Sequence, residues 1–246
     1  MLTSHARVLV AVSGGKDSSA LLWHLKEIAG WDRYQLTLIP AVTTPLYPDP
    51  HWKERLAFLE SLCASLGMPL TVLNTDTEVA QYSITASAPY TDTALQTDIE
   101  TAQTGLTGLL KTDSSCFICS QLRRKALFTE ALRQGCDTIA LGHHLDDILT
   151  TALMNMLRHG TREGMEPLRV YRDGALRLIR PLLFVPEETI IRFCRAMGWR
   201  TYTCICACGT QGIRQAYRSK LEKLTDGSIR QKLNLLRGLY SYNLID

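Results

Sequence analysis

Within the first thirty residues an apolar strand, a polar glycine turn and an amphipathic helix follow one another, and that order restricts the fold more than any other feature. Arg7-Val8-Leu9-Val10-Ala11-Val12 has no polar alternation, so it reads as a strand buried on both faces, as in a parallel sheet. Ser13-Gly14-Gly15-Lys16-Asp17-Ser18 is the turn. Ser19 to Ile28 reads as a helix, and Gly30 stops it. The unit then repeats: a strand over Gln35–Val42, a helix over His51–Leu66 ended by Gly67, and a strand over Leu70–Leu73. Such β-α-β-α-β order predicts an α/β fold with a doubly wound parallel sheet and right-handed crossovers.

Val79 to Leu110 breaks the pattern, with three acidic residues, seven threonines and no basic residue. It reads as a surface insertion or lid over about 79–112. A helix is expected over Cys116–Gln134, a fourth strand over Thr138–Leu141 and a helix over Asp146–Arg158. Asp173-Gly174 suggests a tight turn between two short extended segments. Pro186 to Met197 reads as a helix with Pro at its start and Gly198 at its end. A cysteine cluster and one or two basic helices complete the chain. The expected organisation is one domain over 1–200, carrying the insertion, and a helical extension over 201–246.

Composition excludes several classes. With 46% apolar and 21% charged residues the chain is neither disordered nor fibrous. No apolar run approaches the roughly 20 residues of a membrane helix, and the start shows no cleavable signal pattern, so a cytoplasmic protein without membrane contact is expected. The formal net charge of +3 is uneven: residues 1–112 hold 7 basic and 11 acidic residues, and 113–246 hold 20 and 13. A basic second half suits a polyanion held on one side, and an uneven solvated surface fits it too. Residues 201–246 include Arg214, Arg218, Lys220, Lys223, Arg230 and Lys232. An RNA-backbone role is the reading adopted for them, against a solvated helix face.

The glycine turn is built to hold phosphate. Gly14 and Gly15 let the backbone turn sharply and approach a ligand. The N–H groups at the next helix start face that ligand, and the helix dipole favours an anion there. Ser13 and Ser18 add hydroxyls and Lys16 adds charge. Neither the Walker A pattern nor G-x-G-x-x-G fits these residues. Instead the segment resembles the PP-loop of the ATP pyrophosphatases, S-G-G-x-D-S, at Ser13, Gly14, Gly15, Asp17 and Ser18. That resemblance implies ATP cleaved to AMP and pyrophosphate, with adenylation of a substrate oxygen.

Gly142-His143-His144-Leu145-Asp146-Asp147 follows the fourth strand. In a sheet of order 3-2-1-4 the first and fourth strands are neighbours, and ligands bind where their carboxyl ends diverge. Asp17 and Asp147 are then placed to approach one Mg²⁺ and the phosphate oxygens, and Gly142 to let a nucleotide lie against backbone. One of Asp146 and Asp147 is expected to cap the helix while the other works. The two histidines stay ambiguous between packing and function.

Five of the eight cysteines fall in two groups, Cys116 with Cys119 and Cys204, Cys206 and Cys208. Clustered thiols in a reducing compartment point to metal or catalysis before disulfides. Two thiolates plus one suit an iron–sulfur cluster with an open iron, and four suit structural zinc. Spacing does not choose between them. Cys63, Cys136 and Cys194 lie at apolar positions and are expected in the core. Tyr47, Trp52 and Tyr90 are expected to pack more readily than to stack on a base.

Taken together, the PP-loop, Cys116-x-x-Cys119 with Leu122-Arg123-Arg124, Gly142-His143-His144-x-Asp146-Asp147, Asn155-Met156, Gly164-Met165, Arg180-Pro181-Leu182 and Cys208-Gly209-Thr210-Gln211 resemble the tRNA 2-thiocytidine synthetase family and its 2-thiouridine relatives. The likeness covers nearly the whole chain outside the insertion. It implies a 4Fe-4S cluster on Cys116, Cys119 and Cys208, with the fourth iron open to carry sulfide. It further implies ATP and Mg²⁺ at Ser13, Gly14, Gly15, Lys16, Asp17, Ser18, Gly142 and Asp147. The catalytic residues it points to are Asp17, Asp147 and Arg123, the last stabilising charge at the phosphate, although a surface or RNA role for Arg123 is equally open. The implied partners are a tRNA, a sulfur donor (a cysteine desulfurase or sulfide) and a possible second copy in a homodimer. Two alternatives stand beside it: adenylation of a molecule other than tRNA, and an iron–sulfur or zinc module that binds nucleotide or RNA without turnover.

Overall fold

A computed structural model describes residues 1–46, 48–75, 114–171, 174–202 and 212–240. The expected insertion, Tyr47, Tyr90, Asp173 and Cys204 to Cys208 lie outside the described residues.

The described strands and helices are β1 (Arg7–Ala11), α1 (Lys16–Ala29), β2 (Thr37–Thr43), α2 (Trp52–Ser65), β3 (Thr71–Leu73), α3 (Ser114–Arg133), β4 (Thr138–Ala140), α4 (Leu145–His159), β5 (Leu168–Tyr171), β6 (Leu176–Ile179), α5 (Glu187–Ala196), α6 (Ile213–Thr225) and α7 (Ile229–Tyr240). The sheet runs β3-β2-β1-β4-β6-β5, so the expected 3-2-1-4 order holds. All neighbouring pairs are parallel except β5 with β6, where Tyr171 faces Leu176 across an antiparallel hairpin.

The apolar run of β1 explains why it is central. Val8, Val10 and Val12 face one side and join Leu21, Leu22 and Leu25 of α1, Leu59 and Leu62 of α2, and Ile190 of α5. Leu9 faces the other side and packs with Phe128 and Ala131 of α3, Ile139 of β4 and Leu178 of β6. Alternate residues of one strand thus serve two cores, and every such position must be apolar. Each fully buried leucine contributes about 1.5–3 kcal/mol. Cys63, Cys136 and Cys194 are buried in these cores, as expected from their positions. Burial pushes all three thiols up to about 11.

A third cluster lies apart from the sheet. Leu145, Ile148 and Leu149 of α4 pack with Leu221 of α6 and Leu236 of α7. Through it the two C-terminal helices dock on the helix that follows β4. This docking brings their basic residues to the carboxyl ends of β1 and β4.

Candidate active site

The turn after β1 is closed by its own hydroxyls. Ser18 Oγ receives the Ser13 N–H at 3.0 Å, donates to the Gly15 carbonyl at 3.2 Å and lies 3.1 Å from Ser13 Oγ. The first turn of α1 therefore starts at Lys16 with its backbone N–H groups directed into the crevice. Gly14 has φ +75°, and a Cβ there would sit 2.4 Å from Arg55 Cγ. Arg55 is itself fixed by Asp49 at 2.7 Å and lies 5.0 Å from the Trp52 ring centroid. Glycine is thus required at this position by both backbone and neighbour. Trp52 packs against the core and Arg55 in this arrangement.

Gly142 lies against the start of α1. A Cβ on it would lie 3.0 Å from Ser18 N and 3.1 Å from the Asp17 carbonyl carbon. The backbone that presses against Gly142 belongs to the PP-loop helix. The missing side chain lets the loops after β1 and β4 touch.

His144 is the centre of the charged groups. Its side chain is 1% exposed and its Nε2 lies 3.7 Å from Asp17 Oδ1, 3.3 Å from Asp147 Oδ2 and 4.0 Å from Glu187 Oε1. Asp146 Oδ2 is 3.7 Å from its Nδ1. Asp17 and Asp147, expected to share a metal, thus reach the same imidazole nitrogen. The two aspartates take different partners, and the capping contact falls to Asp147, the one expected to work at the metal. Asp147 accepts the His144 N–H at 3.3 Å and pairs with Arg214 at 3.1 Å. Asp146 turns inward, accepts the Glu187 N–H at 2.8 Å and pairs with Lys232 at 2.6 Å.

Electrostatics keep these carboxylates ionised. Burial would raise the Asp146 carboxyl, but hydrogen bonds from His144, Lys232 and the Glu187 backbone outweigh it and hold it low. Asp147 is lowered likewise, its burial outweighed by His144, Arg214 and His143. Lys16 lies 2.8 Å from Glu187 Oε1 and 3.0 Å from Asp17 Oδ2. Burial opposes its charge, yet these two partners raise its pKa. His143 behaves in the opposite way. Burial first, and then Arg180, Arg214 and His144, push it down to about 4 against the pull of Asp147. It is neutral at pH 7 and accepts a hydrogen bond from Arg180 Nε at 3.3 Å. Arg180 in turn donates to the Glu166 carbonyl.

One buried polar atom beside this network, Asp17 Oδ1, has no hydrogen-bond partner among the described residues. Such orphans usually mark the place of a missing water, ion or ligand. Among the described residues no three His, Cys, Asp or Glu side chains already form a metal site. Mg²⁺ commonly takes one or two carboxylates and the rest from phosphate and water, so Asp17 and Asp147 suit it. Arg123, on α3, is half-buried, and its Nε has no hydrogen-bond partner. Cys119 is half-buried and lies three residues after Cys116 on the same helix. Cys208 lies outside the described residues. The chain on each side of 203–211 is nevertheless tied to the site: the Tyr202 N–H donates to the Gly14 carbonyl at 3.0 Å, and Arg214 reaches Asp147.

Sequence reasoning passed over Glu187 and Arg55, left His144 unresolved, and read Arg214, Arg218 and Lys232 as RNA contacts or surface. Those three turn instead toward carboxylates. Arg218 lies 2.6 Å from Glu187, and Lys232 is 8% exposed between Asp146 and Glu222. The acidic residue directly after Pro186 and the paired histidines were the available signals.

Comparison with known proteins follows this geometry. The family model of the PP-loop domain matches residues 2–203. The tRNA-cytidine(32) 2-sulfurtransferase of Anaeromyxobacter dehalogenans is 33% identical over 238 residues, covering 95% of this chain and 71% of that protein. The protein of the same name from Geobacter sulfurreducens is 31% identical over 235 residues, covering 95% and 80%. The match to its Geobacter metallireducens counterpart, 40% identical over 128 residues, spans about half of each protein, 51% of this chain and 50% of the relative. Among solved structures, the U34-tRNA thiolase NcsA from Methanococcus maripaludis with its 4Fe-4S cluster superposes with a TM-score of 0.69 at 17% identity. That match covers 100% of this chain and 75% of the other, and is a likeness of fold.

Proposed function

The chain belongs to the PP-loop domain family and, within it, to the tRNA-cytidine(32) 2-sulfurtransferases, and from that premise we propose that it replaces the carbon-2 oxygen of a cytidine in tRNA with sulfur, cleaving ATP to AMP and pyrophosphate. The observation that carries this reading is the convergence of the glycine turn after β1, its Asp17, and Asp147 after β4 around one buried imidazole. A triphosphate would lie against the first turn of α1, where backbone N–H groups and Lys16 meet its charge. Asp17 and Asp147 would hold Mg²⁺, and the orphaned Asp17 Oδ1 suits that role.

In the first step the carbon-2 oxygen attacks the α-phosphorus. A C–O–P linkage forms and pyrophosphate leaves with the electrons of the broken P–O bond. In the second step a sulfide adds to carbon 2, and AMP departs with the original oxygen. No net oxidation occurs. Arg123 would stabilise charge developing at the α-phosphate, and its unpartnered Nε supports that assignment. A 4Fe-4S cluster on Cys116, Cys119 and Cys208 would supply an iron for the transferable sulfur.

The same proposal includes the division into a PP-loop domain over 1–200 and a helical extension over 201–246, a sulfur donor of desulfurase or sulfide type, and a possible homodimer. No described helix is long and apolar enough to cross a membrane. The test is anaerobic turnover with tRNA, ATP, Mg²⁺ and sulfide, reading nucleosides by mass spectrometry and pyrophosphate release in parallel. A 2-thiocytidine product, lost on Cys119→Ala with ATP binding kept, is expected. Pyrophosphate release without any thiolated nucleoside would move the acceptor away from tRNA. A colourless protein with one tight zinc would remove the cluster from the reading.

A further inference from the structure

Two arginines of the C-terminal extension reach the crevice without a place in the chemistry above. Arg214 and Arg218 lie one turn apart on α6 and leave the same face of the helix. That face is turned toward the strand ends. Arg214 lies 3.1 Å from Asp147 Oδ1, and Arg218 lies 2.6 Å from Glu187 Oε2 and 3.4 Å from His144 Nε2. The other oxygen of Glu187 holds Lys16 at 2.8 Å. One carboxylate therefore gathers the PP-loop lysine and an arginine from the far end of the chain.

The three cations are balanced by Asp17, Asp147 and Glu187, and they are not sealed off. The Arg214 and Arg218 side chains are 49% and 28% exposed. Beside them lies Asp17 Oδ1, buried with no hydrogen-bond partner among the described residues. An unpartnered carboxylate oxygen next to Lys16 and accessible guanidinium groups suits a phosphate ligand that arrives with its metal cation.

We propose that Arg214 and Arg218 bind the polyphosphate of ATP, closing the side of the nucleotide site that faces Lys16 and the PP-loop. This rests on the reading that ATP occupies that loop. Guanidinium forks match phosphate oxygens in pairs, which a surface lysine does not. Glu187 and Asp147 hold both side chains in place before the ligand arrives, so less freedom is lost on binding. The clamp reads phosphate and not adenine. It therefore strengthens ATP and pyrophosphate binding and leaves AMP, with its single phosphate, almost unaffected.

Affinities of the full-length, anaerobically purified protein for ATP, inorganic pyrophosphate, AMP and a tRNA transcript test this by calorimetry. Arg214→Ala and Arg218→Ala are each expected to weaken ATP and pyrophosphate roughly tenfold. AMP affinity and the melting temperature should stay at the wild-type values, and Arg218→Lys should recover part of the loss. Unchanged ATP and pyrophosphate affinity with weakened tRNA binding would make the arginines RNA contacts and overturn the proposal. AMP affinity falling in step with ATP would overturn it as well, as a general distortion of the site. A wild-type protein that binds none of the three small ligands is a separate outcome, because it defeats the ATP reading itself.

Discussion

The two strand–turn–helix units that meet at the site have the same topology and opposite construction. After β1 the chain shapes its turn with glycine and backbone, and two serine hydroxyls lock it. After β4 it uses side chains: His143 and His144, then Asp146 and Asp147, each with a different partner. A backbone cradle binds by N–H groups that only a substitution to proline removes, but it fails when a Cβ intrudes. A side-chain network tolerates small shifts of backbone but loses a whole charge when one residue changes. The contact between them runs through Gly142, where the two designs touch.

This contrast can be broken first at Asp17, a side-chain group carried by the backbone-built half. Asp17→Ala is expected to lower pyrophosphate release by about 10²–10³ fold, the scale of losing one preorganised electrostatic group. The cluster absorbance and unfolding midpoint should not change. Turnover at the wild-type rate would show that the loop is not the catalytic cradle.

Next in size is the ion pair under the second half. Lys232→Met leaves Asp146 charged, 1% exposed and without its main cation. A loss of about 3 kcal/mol is expected from denaturant unfolding, since removing one partner of a buried pair strands the other. Lys232→Arg should lose less. Equal stability of the methionine variant would mean that Asp146 is satisfied without the extension.

Gly142→Ala probes the junction. Its Cβ would meet backbone atoms at 3.0–3.1 Å, which cannot rotate away. About 1–3 kcal/mol of destabilisation is expected. Weaker ATP binding should accompany it, because the start of α1 is displaced. Loss of stability with full ATP affinity would separate the two loops functionally.

The last test is a pH dependence, spread over several pH units and so small at any one step. His143 has a folded pKa of about 4, below the usual imidazole value near 6.5. Between those values the unfolded chain binds more protons, so stability rises with pH and falls as pH drops from about 6.5 toward 4. The lowered carboxyls of Asp146 and Asp147 add losses in the same direction, beginning below about 4, the ordinary carboxyl value. Melting temperatures from pH 8 to pH 4 should show the upper limb in the wild type and lose it in His143→Gln. A wild-type melting temperature that is flat over this range would contradict the neutral, buried state of His143.

Much of the architecture could be read before any coordinates. From Val8 to Ala11 β1 has no polar position, so it had to be central, and the strand order followed from β-α alternation. The tight turn over Ser13 to Ser18 was legible because glycines and serines shape it through local backbone geometry. That Asp146 and Asp147 take different partners was legible only as a pattern, without showing which carboxylate faced inward. Gly142 stood out in the sequence, and the backbone nearest to it belongs to the start of α1. Lys232, Arg214 and Arg218 looked like a basic helix face because helical periodicity shows which residues share a face and says nothing of what faces them.

By itself the amino-acid order determined the parallel sheet, the glycine turn after β1 and the family pattern of cysteines, histidines and aspartates. Each of these rests on neighbours in the chain: apolar alternation, glycine conformations and short spacings. Tertiary structure alone decided that His144 lies among four carboxylates, that Glu187 joins Lys16 to Arg218, and that Lys232 is buried against Asp146. Those contacts join residues far apart in the chain. Their formation depends on how α6 and α7 dock on α4, and the apolar face that docks them reads like that of any amphipathic helix.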